Sequence, residues 1–321
     1  MIFISIIIPT WKRKSKILRI LNVLKKQKIN KSFEIIISDS NTQGLYKSLK
    51  DYKKKNRNIN LKYLNTNKNS NALKRNLGIK ISRGKYIIFL DDDCLPEKNF
   101  LCKYISQFKS LDDNSILCGS VKYQSRYINK NNFIKYRQSR HFIFTKNKFK
   151  KKDQLNPEKV VTMNMAFKKT KKIEKTKYFN EKFSKYGFED YEFAYRLIRQ
   201  GFKIFPTKVY IIHLDERNLR DYLNKIYYLS RFSIKYLKNI NNKAYKNIIY
   251  SKIDNNIYLK FFIRFKFFYF ILKFLEKLVI FVEKIPYLYL PYFYRLAILS
   301  SYCMGIYDRG KIKKTKNNWY K

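Results

Sequence analysis

The stretch Phe89–Glu97, FLDDDCLPE, sets three consecutive acids at the end of an apolar run, YIIFL, that begins at Tyr86. It stands in a chain with 71 Lys plus Arg against 23 Asp plus Glu, a formal net charge of +48. Packing alone gives no reason for the triplet. A buried strand that ends in carboxylates reads as part of a site, because in open parallel sheets ligands bind beyond the carboxyl ends of the strands.

Outward from this stretch, short apolar runs alternate with longer helical patterns. IFISIIIP (2–9), FEIIISD (33–39), INLKYLN (59–65) and KYIIFLD (85–91) read as strands; SKILRILNVLKKQ (15–27), LYKSLKDYKKK (45–55) and a segment near 70–82 read as helices. Strands this apolar must be covered on both faces, so the expected fold class is α/β, a Rossmann-like, mostly parallel sheet flanked by helices. Thr10, Asp39 and Asp91 to Asp93 then converge on one crevice. The Asn- and Lys-rich stretch 124–158 reads as a long irregular excursion over that crevice. Order returns at KVVTMNMAF (159–167) and at EDYEFAYRLIRQ (189–200), a helix stopped by Gly201, and two short strands, FKIFP and KVYIIHL, follow. The core domain is expected to span 1–215 and a helical, aromatic and basic region 216–321.

Aromatic residues at 17% and apolar residues at 45% exclude a disordered chain. The charge excludes less than it suggests. Residues 221–321 carry 20 basic and 5 acidic side chains, and net charge is about 0.15 per residue on either side of that boundary. Charge so evenly spread argues against a nucleic-acid partner, which needs a localised patch, while leaving attraction to an anionic membrane or acidic glycan. Cys94, Cys102, Cys118 and Cys303 form no CxxC pair and no zinc spacing, which fits a reduced, cytoplasmic compartment. MIFISIIIP lacks a preceding basic segment, and Pro9 closes it before the basic cluster; that order suits a buried first strand rather than a signal peptide.

The C-terminal region differs in kind. FFIRFKFFYFILKFLEKLVIFV (261–282) is strongly apolar, yet charges interrupt it too often for a membrane span. Wound as a helix, Lys266, Lys273, Glu276, Lys277, Glu283 and Lys284 fall within about 120° of the circumference. An interfacial helix lying on a membrane fits this, and so does a helix packed on its own domain or a partner. Pro286 and Pro291 argue against one helix continuing through IPYLYLPYFYRLAILSSYCMG.

Asp91 and Asp93, one residue apart at a strand end, can reach a hard divalent cation or its water shell, although a solvated turn after a strand reads the same way. The neighbours decide. SIIIPTWKR (5–13), IISDS (36–40), NALKRNLGIKISRGKYIIFLDDD (71–93) and FNEKFSKYGFEDYEFAYRLIRQGFKIF (179–205) occur in this order. Together they closely resemble the family 2 glycosyltransferases, inverting enzymes of GT-A fold that use nucleotide-sugar donors, over about two-thirds of the chain. The resemblance implies donor nucleotide contacts at Pro9, Thr10, Asp39 and Asp91, and a site for Mn²⁺ or Mg²⁺ at Asp91, Asp93 and His213. It further implies a catalytic pair at Glu189 and Asp190, with Asp190 as general base, and an acceptor-facing loop at Asn164 and Met165. A lone His such as His213 is also commonly a core residue. The sequence departs from the family pattern where Asn69, Ser70 and Asn71 replace a usual glycine, where Leu73 and Lys74 replace small alanines, and where the second strand ends in SDS.

The chemistry is consistent with that pattern. Inverting transfer needs a base on the acceptor hydroxyl and an electrophile for the departing diphosphate, at opposite ends of the sugar. A helix N-terminus favours an anion where Asp190 stands. Asp92 is expected to tolerate replacement best of the triplet, and Arg75, Arg83 and Lys85 read as a solvated face or phosphate contacts. A sugar-nucleotide nucleotidyltransferase would need a Gly-rich loop after the first strand, and PTWKRKSK has no Gly. An inactive scaffold would not need the intact DDD and ED. The expected partners are a nucleotide-sugar donor, probed first with UDP-sugars, a lipid-linked or cell-surface glycan acceptor and an anionic membrane surface, with the protein peripheral on the inner face of the cell membrane.

Overall fold

The computed structural model describes residues 2–41, 44–128, 131–141, 150–183, 187–214, 218–285, 288–309 and 311. The chain divides into two compact units. The first takes Met1–Tyr123, His141–Ser184 and Glu189–Leu214; the second takes Gln124–Arg140, Lys185–Phe188 and Asp215–Lys321.

The first unit is built on one sheet of β1 (Ile4–Thr10), β2 (Phe33–Asp39), β3 (Leu61–Asn65), β4 (Tyr86–Leu90), β5 (Cys94–Pro96), β6 (Ser115–Tyr123), β7 (Asn164–Lys168) and β8 (Lys203–His213). Their order is β3-β2-β1-β4-β7-β6-β8-β5. The first four strands run parallel, β7 runs antiparallel to both β4 and β6, and β5 runs antiparallel to β8. Alternate residues of β1 point to opposite faces. Ile4, Ile6 and Ile8 pack with Ile17, Ile20, Leu21 and Leu24 of the Lys14–Lys25 helix; Ile7 packs with Ile79, Phe89 and Phe193 on the other face. Burial on both faces is why the strand reads as a continuous apolar run.

Register aligns the two ends of these strands. Thr10 sits opposite Asp39, and Ile7 opposite Phe89, so the polar residues that follow β1, β2 and β4 emerge on one edge. At the other edge the fully buried Glu34 carboxylate pins the strands together. Its Oε1 accepts from Ser5 Oγ and from the Arg83 amide, each at 2.6 Å, and its Oε2 lies 2.7 Å from the Lys62 ammonium. Ser5 Oγ in turn accepts from the Gly84 amide at 2.8 Å.

The helix Asn71–Ile81 lies close against β1. Ser70 caps it by accepting from the Leu73 amide, and a Cβ at Gly78 would come within 2.4 Å of Ile7 Cγ2. Only glycine permits that approach. The consequence is functional, because the same face carries Lys74 and Arg75 into the interior.

Four features differ from the sequence expectation. The stretch 124–158 is partly ordered: Ser125–Ile128 and Asn132–Arg140 are helical, the latter with Phe133, Ile134 and Tyr136 buried, while 142–149 lie outside the described residues. The two expected strands near 202–214 are one, β8, accommodating Pro206 beside a register shift at Gly119/Ser120 of β6. β6 and the helix Phe100–Phe108 were not expected from the sequence at all. The apolar 261–282 segment is not one helix; Ile257–Ile263 and Lys266–Val282 are separated at Phe265, whose backbone is extended. Pro286 lies outside the described residues, and Pro291 opens the helix Pro291–Tyr307 at its first position, where a missing N–H costs nothing.

In the second unit Phe133, Leu219, Leu223, Val279, Tyr294 and Ala297 form a core. The buried Asp254 accepts from Arg309 at 2.8 Å, Tyr302 at 3.0 Å and Tyr245 at 3.2 Å. Among the described residues no helix is long and apolar enough to cross a membrane.

The Glu34 network yields a stability prediction. Burial pushes the Glu34 carboxyl up, but the Lys62, Ser5 and Arg83 contacts outweigh it and hold the group below the ordinary glutamate value. Its contribution is therefore present above the unfolded value and lost as pH falls through the lower folded one. Glu34→Ala is expected to cost about 3 kcal/mol near neutral pH, and the gap to wild type should narrow in acid. Denaturant titration at both pH values checks this; a gap independent of pH would contradict it.

Candidate active site

The polar edge of the sheet gathers Thr10 from β1, Asp39 from β2 and the Asp91–Asp93 turn after β4. Asp39 is buried; its Oδ1 accepts from the Ser40 and Asn41 amides at 2.8 and 3.0 Å, and its Oδ2 from the Tyr63 hydroxyl at 3.1 Å. Burial raises its pKa despite those bonds. Pro9 and Thr10 are both buried, and Thr10 bonds inward to the triplet.

Each acid of the triplet has a separate attachment. Asp91 Oδ1 accepts from Arg75 Nη2 at 2.9 Å. Asp92 accepts from Thr10 Oγ1 and from Arg13 Nη1, each at 2.8 Å, so it ties the end of β4 to the end of β1. Burial pushes Asp92 up to about 6 against the pull of Arg13. Asp93 also pairs with Arg13, and its Oδ1 lies 3.7 Å from His213 Nε2. Asp92, expected to tolerate replacement best, is instead buried and held by Thr10 and Arg13, while Asp91 is the most exposed of the three.

The β5–β8 ladder explains His213. Cys94 is its direct partner in register, which brings the imidazole from about 120 residues away to the triplet. Asp93, Cys94 and His213 offer ligand atoms within 4.8 Å of one another, and all three are buried. Burial and the neighbouring Asp93 charge push the Cys94 thiol well above its usual pKa. Of the three, the carboxylate and the imidazole are the donors that suit a divalent ion such as Mn²⁺.

The residue that unites the site is Arg75. Its side chain is 1% exposed; Nη1 donates to Asp190 Oδ1 at 3.0 Å while Nη2 donates to Asp91 Oδ1 at 2.9 Å. One guanidinium thus spans the DDD turn and the start of the Glu189–Arg199 helix, two segments about a hundred residues apart. Phe179 lies against it, 5.3 Å from ring centroid to guanidinium carbon. The chain enters that helix through Gly187 and Phe188, both with positive φ, which for an aromatic residue is a strained conformation. Burial, followed by the Asp190 charge, pushes Glu189 up to about 7. Beside Arg75, the fully buried Lys74 donates to the Thr10 carbonyl and to Asn69 Oδ1, each at 2.7 Å, and burial lowers it to about 8.

Sequence reading put Arg75 on a solvated face or on phosphate, whereas it is buried between two carboxylates, and gave Lys74 and Arg13 no role. A signal existed for Arg75: Ala72, Arg75 and Ile79 recur at i, i+3 and i+7 after the Ser70 cap, which places the arginine on the buried face. Asn164 and Met165 depart from their expected acceptor-facing position. Both are fully buried in β7; the Asn164 amide donates to the Ser120 and Val209 carbonyls at 3.1 Å each, and its oxygen accepts from Tyr104 at 2.6 Å. The apolar MNMAF alternation places these side chains inside a strand sandwiched between neighbours, not in a loop.

The family model for glycosyl transferase family 2 matches residues 5–173, more than half of the chain and including the whole DDD turn. The chain belongs to glycosyl transferase family 2. Chondroitin synthase of Pasteurella multocida is 30% identical over 229 residues, which are 62% of this chain and 23% of that protein. The chain thus spans under a third of the length of the chondroitin synthases it matches. Among solved structures, residues 1–349 of Staphylococcus aureus TarS align over 96% of this chain and 91% of that one, with a TM-score of 0.52 at 15% identity. A mannosyltransferase of Pyrobaculum calidifontis, solved with GDP-Man and Mn²⁺, aligns over 73% and 64% with a TM-score of 0.54 at 17% identity. These likenesses confirm the GT-A fold, and this family member carries its DDD and ED segments on one buried arginine.

Arg75→Met is expected to lower stability by about 3–5 kcal/mol, because two carboxylates would lose their buried counterion. Arg75→Met/Asp190→Asn should recover part of the loss. Denaturant titration of both variants measures the effect, and wild-type stability for Arg75→Met would refute the bridge.

Proposed function

We propose that the protein transfers a sugar, with inversion, from a nucleoside-diphosphate sugar to a hydroxyl of a lipid-linked or cell-surface glycan. The observation that carries this reading is the Arg75 bridge, which holds the DDD turn and Asp190 one guanidinium apart. A UDP-sugar is the first donor to test, since TarS has been solved with UDP-GlcNAc; GDP-mannose in the P. calidifontis enzyme is the second. The chondroitin synthase relatives support a glycan acceptor.

In this reading Asp39 and Tyr63 meet the nucleoside, with Pro9 and Thr10 shaping the floor beside them. Asp93 and His213, with Asp91 at the edge, would hold Mn²⁺ or Mg²⁺. Such an ion supplies positive charge for the leaving diphosphate. Asp190 takes the proton from the acceptor hydroxyl: Arg75 occupies Oδ1 and the proton goes to Oδ2. Glu189, pushed up to about 7 by burial and the Asp190 charge, completes the acidic end beside it. Catalysis is assigned to 1–215, and 216–321 to attachment at the inner face of the membrane.

Two variants separate the halves of the site. Asp190→Asn should lose turnover by about 10³-fold or more while nucleotide-sugar affinity survives. Asp93→Ala should lose metal-dependent donor binding as well as transfer. Kinetics with UDP-GlcNAc and an oligosaccharide acceptor, beside donor binding by calorimetry, measure both; full turnover in Asp190→Asn would remove it as the base.

A further inference from the structure

Among the described residues, the large apolar side chains left exposed lie almost wholly between 249 and 299, the exceptions being Tyr46 and Tyr236. A soluble surface rarely gathers so many in one segment. On the helix Lys266–Val282 they are ordered. Phe267, Phe270, Ile271, Phe274, Leu278 and Phe281 are exposed, and at 100° per residue they share a stripe about 100° wide. The buried Leu272 and Val279 lie on the opposite side, against the unit's own core. The apolar stripe therefore faces away from the packing that holds the helix.

The charges are sorted too. Lys266, Lys273 and Lys277 are exposed and run along one edge of the stripe, with Lys284 continuing the row beyond the helix. Glu276 is turned inward, where it accepts from Ser301 Oγ, and Glu283 is partly buried. The outward flank is thus cationic without an acid to neutralise it. The helix Ile257–Ile263 extends the aromatic surface, since the Phe261 ring lies 5.1 Å from Phe265, itself exposed at the helix break. Lysine is depleted from protein–protein interfaces, whereas a Phe- and Leu-rich stripe beside a lysine row is the composition of a helix lying in a lipid interface.

We infer that the Lys266–Val282 helix docks the protein on an anionic phospholipid surface, with the Phe267–Phe281 stripe entering the acyl boundary and the lysine row on the headgroups. Lysine stems can snorkel from the edge of the stripe while their ammonium groups stay in water. This deepens the localisation part of the proposed function and rests on no step of the transfer chemistry. It names the surface, its orientation and the lipid charge that it needs.

Vesicle co-sedimentation of the full chain tests it without requiring catalysis. Wild type should bind vesicles of phosphatidylglycerol and phosphatidylcholine at least tenfold more tightly than phosphatidylcholine alone, with affinity falling as salt rises. Phe270→Glu/Phe274→Glu, both exposed positions, should lose at least tenfold in binding to the anionic vesicles. Lys266→Gln/Lys273→Gln/Lys277→Gln should lose mainly the preference for anionic lipid. Circular dichroism and UDP binding on each variant separate a misfolded chain from a folded one that no longer docks, and UDP binding reports the transfer site independently. Undiminished vesicle binding by the folded phenylalanine variant would overturn the assignment. So would a wild-type dimer that this variant dissociates, since the stripe would then be the contact between two copies.

Discussion

One buried guanidinium is the constraint on which the site depends. Arg75 has almost no exposure, so its charge must be satisfied inside the protein, and the groups that satisfy it are Asp91 and Asp190. An arginine fork can hold two carboxylates in a fixed relation where a lysine could only neutralise them. The DDD turn and the start of the Glu189–Arg199 helix are thereby held in one fixed relation in the folded state. Gly78 is part of the same constraint, because the helix bearing Arg75 reaches its place only if nothing but hydrogen stands between it and Ile7.

The electrostatics follow from this arrangement. In a chain of +48 the crevice collects Asp39, Asp91, Asp92, Asp93, Glu189 and Asp190, while Arg13, Lys74 and Arg75 are held among them. Burial pushes Asp39, Asp91, Asp92 and Glu189 upward, and Arg75 and Arg13 counter it for Asp91 and Asp92. A divalent cation held there would relieve the same repulsion and would supply a counter-charge for a diphosphate.

The strands of the parallel half were legible because their apolar runs answer to burial on two faces, and the alternation of Ile6 and Ile7 between the two cores is that reason made visible. The convergence of Thr10, Asp39 and the triplet was legible from strand polarity alone. What the sequence hid was direction. Asp92 could not be told from Asp91 without knowing which way the turn rolls, and Asn164 looked like a loop residue until β7 paired on both sides. β8 was read as two strands because Pro206 interrupts it; its pairing with β6 continues through the proline, with a register shift just beyond Thr207, and that is a property of the pair, not of either segment. The pairing of His213 with Cys94 is long-range in the same sense.

The central proposal is that the polar edge of the sheet takes a nucleoside diphosphate through a cation that Asp93 and His213, with Asp91, would hold. Calorimetric titration of UDP and GDP into the full chain, with Mn²⁺ and then with EDTA, tests that most directly. One of the two should bind with Mn²⁺ and weaken at least tenfold in EDTA. Binding of equal strength in EDTA, or none of either nucleotide with Mn²⁺ present, would contradict it.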